Sequence, residues 1–486
     1  MRKLIGIALI LATAGIDATA QNERDAFRYA QYSPTGSARY AALSGSMGAF
    51  GSDFMCLSAG NPAGIGLFKR FEFSLTPMLS YSKNMSTYNG EQRKGTDYSF
   101  NLNNLGVVLV FHTDTTTKWK SVQFATGYNN LARYDGAAVV SGSNGGTTNF
   151  LKYLAQNAEG INYNSLEQKG FIFEFDAWNN FLLNTLSGTD NSYSTPVDAE
   201  FDQLFTKKTR GYLNEYIFSF GGNYDDKLFL GATVGIPFFR YEEERTYTES
   251  YNPFYDTLIY RDDFISKATG VNLKLGIIYQ PVRFLRLGAA FHTPTKYFNV
   301  NETYSSSFEV WSVWSPLDSN YHDIYDTKDG EFNYALRTPY HATANIAFIF
   351  KNRGFINIDY EYVDYAQSEF EANSYDFGVY NKNIKKYYTG THTVRVGGEL
   401  NLSPIVFRAG GSYSTNPYKE VEKDGSLYTV SGGIGYKSRI FFADFAYMYR
   451  FCQDKDIFYN HASLNPYASK ITNQFFVLTL GWKLKM

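Results

Sequence analysis

The chain of 486 residues carries 45 lysines and arginines against 47 aspartates and glutamates, a formal net charge of −2. This balance, with no basic tract, excludes a nucleic-acid footprint. Mean hydropathy is −0.32 and no later run of apolar residues reaches ~18, so apolar membrane helices are excluded as well.

The first element is a leader. Met1, Arg2 and Lys3 are followed by an apolar run, Leu4 to Ala14, and by Ala18-Thr19-Ala20. That order predicts a secretory signal peptide over 1–20, with Gln21 as the new N-terminus. No cysteine follows the cleavage point, which argues against a lipoprotein. Export puts the composition in context. Aromatic residues make up 18% of the chain, with 41 Tyr and 41 Phe. Aromatic girdles and alternating faces hide an outer-membrane barrel from hydropathy averages.

Residues 36–66 come next, GSARYAALSGSMGAFGSDFMCLSAGNPAGIG. Small side chains recur along it, so backbone can pack against backbone in a confined space. Asn61-Pro62 is a turn signal. The segment 21–70 is expected to form a plug, or hatch, ahead of a barrel over 71–486.

From Phe71 the sequence alternates. Fourteen stretches place apolar residues at every second position: 71–81, 102–111, 121–132, 213–223, 227–239, 270–280, 283–293, 341–350, 354–363, 391–402, 404–414, 427–437, 439–450 and 474–485. The sixth sets Val271, Leu273, Leu275 and Ile277 against Asn272 and Lys274. The third loses its alternation at Gly127, Asn129 and Asn130. Periodicity alone does not separate a soluble sandwich from a barrel, but the connections do. Short turns alternate with long loops at 82–101, 133–212, 240–269, 294–340, 364–390, 415–426 and 451–473. The expected fold is all-β: a transmembrane antiparallel β-barrel of about 14 strands, apolar face to lipid and polar face to the lumen. On that phase Ile277→Arg should impair assembly and Lys274→Gln should be tolerated. Pro77 and Pro237 fall inside strands, where each must mark a bulge, an end or a lost ladder bond.

The longest loop is not uniformly polar. Phe171, Phe175, Trp178, Phe181, Leu182 and Leu186 recur at roughly helical spacing. They read either as the loop's own small core or as an extracellular apolar landing surface.

Chemistry is sparse elsewhere. The histidines are scattered without metal-ligand spacing, and neither a GxSxG elbow nor a P-loop is present. The lumen charges Arg286, Arg395, Glu399, Arg408 and Asp444 read as wall ion-pair ladders. Cys56 and Cys452 read as lone thiols. No enzyme activity, metal or cofactor is expected.

GSAR, the small-residue run to Asp53 and NPAG, with RLGAAFHTPTKY (286–297), VRVGGELNLSPIVFRAGGSYSTNPY (394–418) and SGGIGYKSRIFFADFAYMYRF (431–451), together resemble the FadL/OmpP1/TodX family over essentially the whole mature chain. The resemblance implies fourteen strands, a place in the bacterial outer membrane and passive uptake of hydrophobic molecules such as long-chain fatty acids or hydrocarbons. It also implies that Asn61, Pro62 and Ala63 sit beside a distortion of the third strand, at Gly127, Asn129 and Asn130, forming a sideways exit. The alternative is that NPAG is only the turn into the first strand. Expected partners are outer-membrane lipid, a hydrophobic small-molecule ligand and the barrel assembly machinery; the barrel is expected to be a monomer and to bind no nucleic acid. A competing function is a FadL-like barrel serving as scaffold or shuttle in protein secretion.

Overall fold

Leu273, Leu275 and Ile277 are 39%, 46% and 44% exposed, whereas Asn272 and Lys274 between them are buried. The apolar phase therefore faces outward and the polar phase inward, the reverse of a soluble sandwich. The computed structural model describes residues 23–113, 117–143, 149–169, 171–179, 181–195, 201–251, 257–312, 321–326, 330–351, 353–373, 375–420, 424–458 and 465–484. The expected signal peptide, 1–20, lies outside them.

The wall is a closed antiparallel barrel of 14 strands. These are β1 (Phe71–Tyr88), β2 (Glu91–His112), β3 (Trp119–Arg133, resumed as Gly136–Ser143), β4 (Phe201–Tyr224), β5 (Leu228–Tyr251), β6 (Thr257–Val282) and β7 (Leu285–His292, resumed as Lys296–Ser312). Then follow β8 (Tyr321–Asp326, Gly330–Arg337 and His341–Phe350), β9 (Gly354–Asp364, resumed as Glu369–Glu371), β10 (Gly390–Leu402), β11 (Ile405–Ser414), β12 (Leu427–Lys437), β13 (Phe441–Asp456) and β14 (Tyr467–Leu484). Closure is made by β14 on β1, from Phe71 opposite Leu484 to Thr87 opposite Ala468.

The short turns gather at one end, between β2 and β3, β4 and β5, and so on to β12 and β13. The other end differs from the sequence reading. Much of 82–101 and 240–269 is strand rather than loop: β1 and β2 continue to a tight turn at Asn89-Gly90, with φ of 45° and 90°. Two consecutive positive φ angles make the type I′ turn that Asn-Gly favours. These extensions carry polar residues on both faces, so apolar alternation could not mark them.

The prolines behave as expected. The β1–β2 register shifts between Thr76 and Pro77, a bulge. The β5–β6 ladder lapses at Ile236 and Pro237 and resumes at Phe238 opposite Thr269.

The lipid-facing phase carries a direct test. Ile277 and Leu478 are 44% and 40% exposed on the outer face. An arginine there costs about 2–4 kcal/mol near the bilayer midplane. Ile277→Arg and Leu478→Arg are expected to reduce the fraction of chain that shows heat-modifiable electrophoretic mobility after folding into vesicles.

Candidate functional site

The chain ahead of β1 runs along the polar inner faces of the strands. It contains α1 (Glu23–Ala30), α2 (Ala38–Ala42), α3 (Cys56–Ala59) and a 3₁₀ turn, Pro62–Leu67. Its small residues are needed because wall and segment approach at backbone distance: Ala38, Ala41, Ala42, Ala49 and Ala63 are wholly buried. Its polar groups bond to strands around the barrel. Ala38 N donates to Thr479 Oγ1 on β14 at 2.7 Å, and Ser44 Oγ pairs with Ser431 Oγ on β12 at 2.7 Å. Gly48 N donates to Asp359 Oδ2 on β9 at 2.9 Å. Buried backbone donors of an irregular segment need partners, and inward-facing wall side chains supply them.

Charge fastens the same contact. Glu399 on β10 accepts from Arg39 of α2 at 3.0 Å, from Arg408 on β11 at 2.8 Å and from Lys437 on β12 at 2.9 Å. Arg408 also reaches Asp444 on β13 at 2.7 Å. Arg395 pairs with Glu361, which also holds His341 Nδ1 at 2.7 Å. Arg286 departs from the expected ladder: it donates to Phe50 O and Gln280 Oε1, both at 3.0 Å.

Asn61, Pro62 and Ala63 lie against β5 and β6. Asn61 Nδ2 donates to Ile277 O at 3.1 Å and Ala289 O at 3.2 Å, and Asn61 Oδ1 caps Ala63 N at 3.0 Å. A Cβ at Gly231 would come within 2.2 Å of Pro62 O, and one at Gly276 within 2.1 Å of Asn61 Oδ1. Gly127, Asn129 and Asn130 lie elsewhere. Gly127 on β3 faces Gly106 on β2, and the Phe54 ring covers the pair. Asn129 Nδ2 donates to Ser58 Oγ at 2.6 Å; Asn130 Nδ2 donates to Asn214 Oδ1 at 2.7 Å. Among the described residues no hydrogen bond joins the two halves of the expected gate directly; Ser58, three residues before Asn61, is the partner of Asn129. The lost alternation at Gly127 makes room for Phe54 rather than a kink, and pairing with β2 continues through Asn129.

The irregularity of β3 lies a step further on. Its register with β4 shifts between Asn130 and Ala132. Beyond Asn104 opposite Asn129, β2 pairs only with β1 and β3 only with β4 among the described residues. Asp135 holds the bend, accepting from Ser99 Oγ at 2.7 Å, from Arg133 Nε at 2.9 Å and from Gly211 N at 3.3 Å. Residues 33–36 occupy the break: Ser33 N donates to Leu131 O at 2.9 Å, Thr35 Oγ1 to Asn103 Oδ1 at 3.0 Å, and Asn103 Nδ2 to Gly36 O. Of these, Gly36 opens the small-residue stretch legible in the sequence, whereas Ser33–Thr35 precede it, with Pro34 as the available signal.

Two voids adjoin this segment. One of about 60 Å³ lies between it and the wall from β8 to β13. The other, of about 40 Å³, borders the break and is lined by Asn130, Arg133 and Asp135.

Neither a protein-family model nor a curated protein sequence matches the chain. Solved structures do. A Pseudomonas aeruginosa FadL homologue superposes with a TM-score of 0.57 at 13% identity, covering 93% of this chain and 99% of that one. The chain has the FadL-type fold. The Pseudomonas putida toluene transporter TodX gives a TM-score of 0.51 at 11% identity, and the Ralstonia pickettii toluene transporter TbuX 0.51 at 14%, each over 94% of this chain and 100% of the other.

Within this FadL-type barrel the long-loop end is capped by the 149–195 region. Here α4 (Phe150–Ala158) and α5 (Ile172–Asn179) pack on Tyr88, Phe205, Tyr247 and Phe308 at the strand ends. Phe171, Phe175, Trp178 and Leu182 are partly buried in that cluster. Phe181 and Leu186 are 61% and 46% exposed. The helical spacing covers only the first half: Phe181 turns to φ 60°, and Asn184–Thr185 pairs with Tyr193–Ser194. Burial raises the Glu174 carboxyl above its ordinary range, opposed by hydrogen bonding that includes Asn157.

Close packing sets the expectation for two variants. A Cβ at Gly127 would lie 2.2 Å from Leu105 O, and Ala63 is wholly buried against the wall. Gly127→Val and Ala63→Leu are therefore expected to lower the thermal midpoint in micelles, at about 1–3 kcal/mol each.

Proposed function

We propose that this chain is a bacterial outer-membrane channel for passive uptake of hydrophobic molecules, and that its ligand leaves sideways through the β2–β3 break. The break carries the reading. A barrel needs every strand paired to close its backbone groups from lipid. Here the β2–β3 ladder lapses from Asn103 outward, held at Asp135 and filled at its start by residues of the preceding segment, while Arg93–Ser141 and Asn89–Ser143 bonds bridge the two sides further out. An apolar solute leaving through it avoids the water that a straight pore would impose. The segment 23–68 acts as the plug, and Ser33–Gly36 rather than Asn61–Ala63 stands at the exit. Asn61-Pro62-Ala63 serves as an anchor on β5 and β6. The neighbours described as toluene transporters support a hydrophobic cargo, and Phe181 and Leu186 offer it a first apolar contact outside.

Asp135→Ala removes the acceptor that holds the bend. Uptake of radiolabelled toluene and of oleate by cells carrying this variant should fall roughly tenfold, the effect of about 1.4 kcal/mol on a barrier. Heat-modifiable mobility serves as the folding control. Wild-type uptake of both solutes in a folded variant would take the break out of the path.

A further inference from the structure

Arg450 on β13 is 7% exposed and lines both voids. Its register places Thr429 of β12 on one side, bordering the larger void, and Asn473 of β14 on the other, bordering the smaller. The two spaces therefore meet at this guanidinium. Its bonds are weak for a buried cation: Nη1 donates to Ser33 O at 3.1 Å, Nη2 faces Met448 Sδ at 3.6 Å, and Nε has no partner. The Phe475 ring lies 5.2 Å from its Cζ. No carboxylate of the described residues is within ion-pair distance of it. The other arginines of these voids are matched, Arg395 by Glu361 and Arg133 by Asp135. The lysine, arginine, aspartate and glutamate side chains that line each void then sum to one excess positive charge, and it is the same charge.

A buried guanidinium without an anion is costly, and a carboxylate relieves that cost through two parallel charge-assisted bonds. The rest of the lining favours the same ligand. Thr391, Thr393, Ser412, Ser414 and Thr429 line the larger void; Thr391 donates to Val363 O at 3.2 Å and Thr393 to Ser414 Oγ at 2.9 Å. A plain hydrocarbon there would cover polar groups and the Arg450 guanidinium and return no hydrogen bond. We propose that Arg450 is the counter-ion of a carboxylate-bearing solute held where the two voids meet, at the plug residue Ser33. Binding stands on this geometry alone; only the onward route through the break rests on the uptake reading.

The full-length barrel in an uncharged maltoside detergent is titrated calorimetrically with sodium butyrate, with butanol as the neutral control and laurate as the long-chain arm. Wild type should bind butyrate and not butanol. Arg450→Gln should weaken butyrate at least about tenfold, and Arg450→Lys should keep most of the affinity. Thr429→Asp places a carboxylate on the neighbouring strand and should abolish butyrate binding by occupying the guanidinium. Laurate much tighter than butyrate assigns the head to a fatty acid; equal affinities assign it to a free short carboxylate. Wild-type butyrate binding by folded Arg450→Gln and Thr429→Asp, or butanol binding as tight as butyrate, overturns the proposal. Toluene uptake by the wild type, measured in parallel, tests the uptake reading separately: its absence beside normal butyrate binding would count against that reading and leave the carboxylate site standing.

Discussion

Lys274→Gln is expected to destabilise the barrel by about 3–5 kcal/mol, the cost of breaking a buried ion pair from one side. Lys274 lies on the inward phase of β6, and its ammonium meets Glu215 of β4 with both side chains 0% exposed. The ammonium also donates to Ser58 O of α3 at 2.6 Å, and Asn272 Nδ2 donates to Glu215 at 3.2 Å. Glutamine removes the charge and leaves the Glu215 carboxylate buried with one amide donor. The urea midpoint of folded barrels in micelles measures the loss. Lys274→Met combined with Glu215→Leu should recover most of it, because removing both charges leaves neither stranded. Equal midpoints for wild type and Lys274→Gln would mean that water reaches the pair. Alternation alone had placed Lys274 on the lumen face and so made its substitution look harmless. The phase was right; the partner, 59 residues away in the chain, carried no local signal.

That distinction runs through the molecule. Period-two alternation is local, so the outward faces of all fourteen stretches and the short turns were legible. So was the small-residue segment, since Gly and Ala are the residues that close backbone approach demands. Strand ends beyond the apolar band were not legible. Lys207, Thr209, Glu242 and Glu244 pair as regular ladder on β4 and β5 but present no apolar phase to read. The break beside β3 was also misplaced. Gly127, Asn129 and Asn130 broke the pattern for two different reasons, Gly127 to admit Phe54 and Asn129 to bond Ser58. The bulge next to them sits at Leu131, a wholly buried apolar residue in the opposite phase to Val122, Phe124 and Tyr128. A register shift depends on the neighbouring strand, and one strand's sequence does not contain it.

Glu399→Gln is expected to loosen the inner segment as well as the wall. The Glu399 carboxylate is 5% exposed and is the common acceptor of Arg39, Arg408 and Lys437. Arg408 keeps Asp444, so its charge remains balanced. Arg39 keeps only a long contact to Ser52 O at 3.5 Å and the faces of Phe50 and Phe355. Arg39 belongs to α2, so the uncompensated charge falls on the inner segment and not on the strands. Breaking such a cluster from one side costs about 3–5 kcal/mol. Part of that should appear as release of α2 from β10, because a freed Arg39 regains water by moving away. Planar-bilayer recordings separate the two effects. Wild type should conduct small ions poorly, with α2 seated against β10, β11 and β12. Glu399→Gln should show discrete openings at a temperature where the strands remain folded by circular dichroism. Arg39→Gln should give the same openings with a smaller loss of stability, since Glu399 then retains Arg408 and Lys437. A closed Glu399→Gln barrel with a lowered unfolding midpoint would confine the cluster to the wall and leave the inner segment held by its hydrogen bonds to Thr479, Ser431 and Asp359.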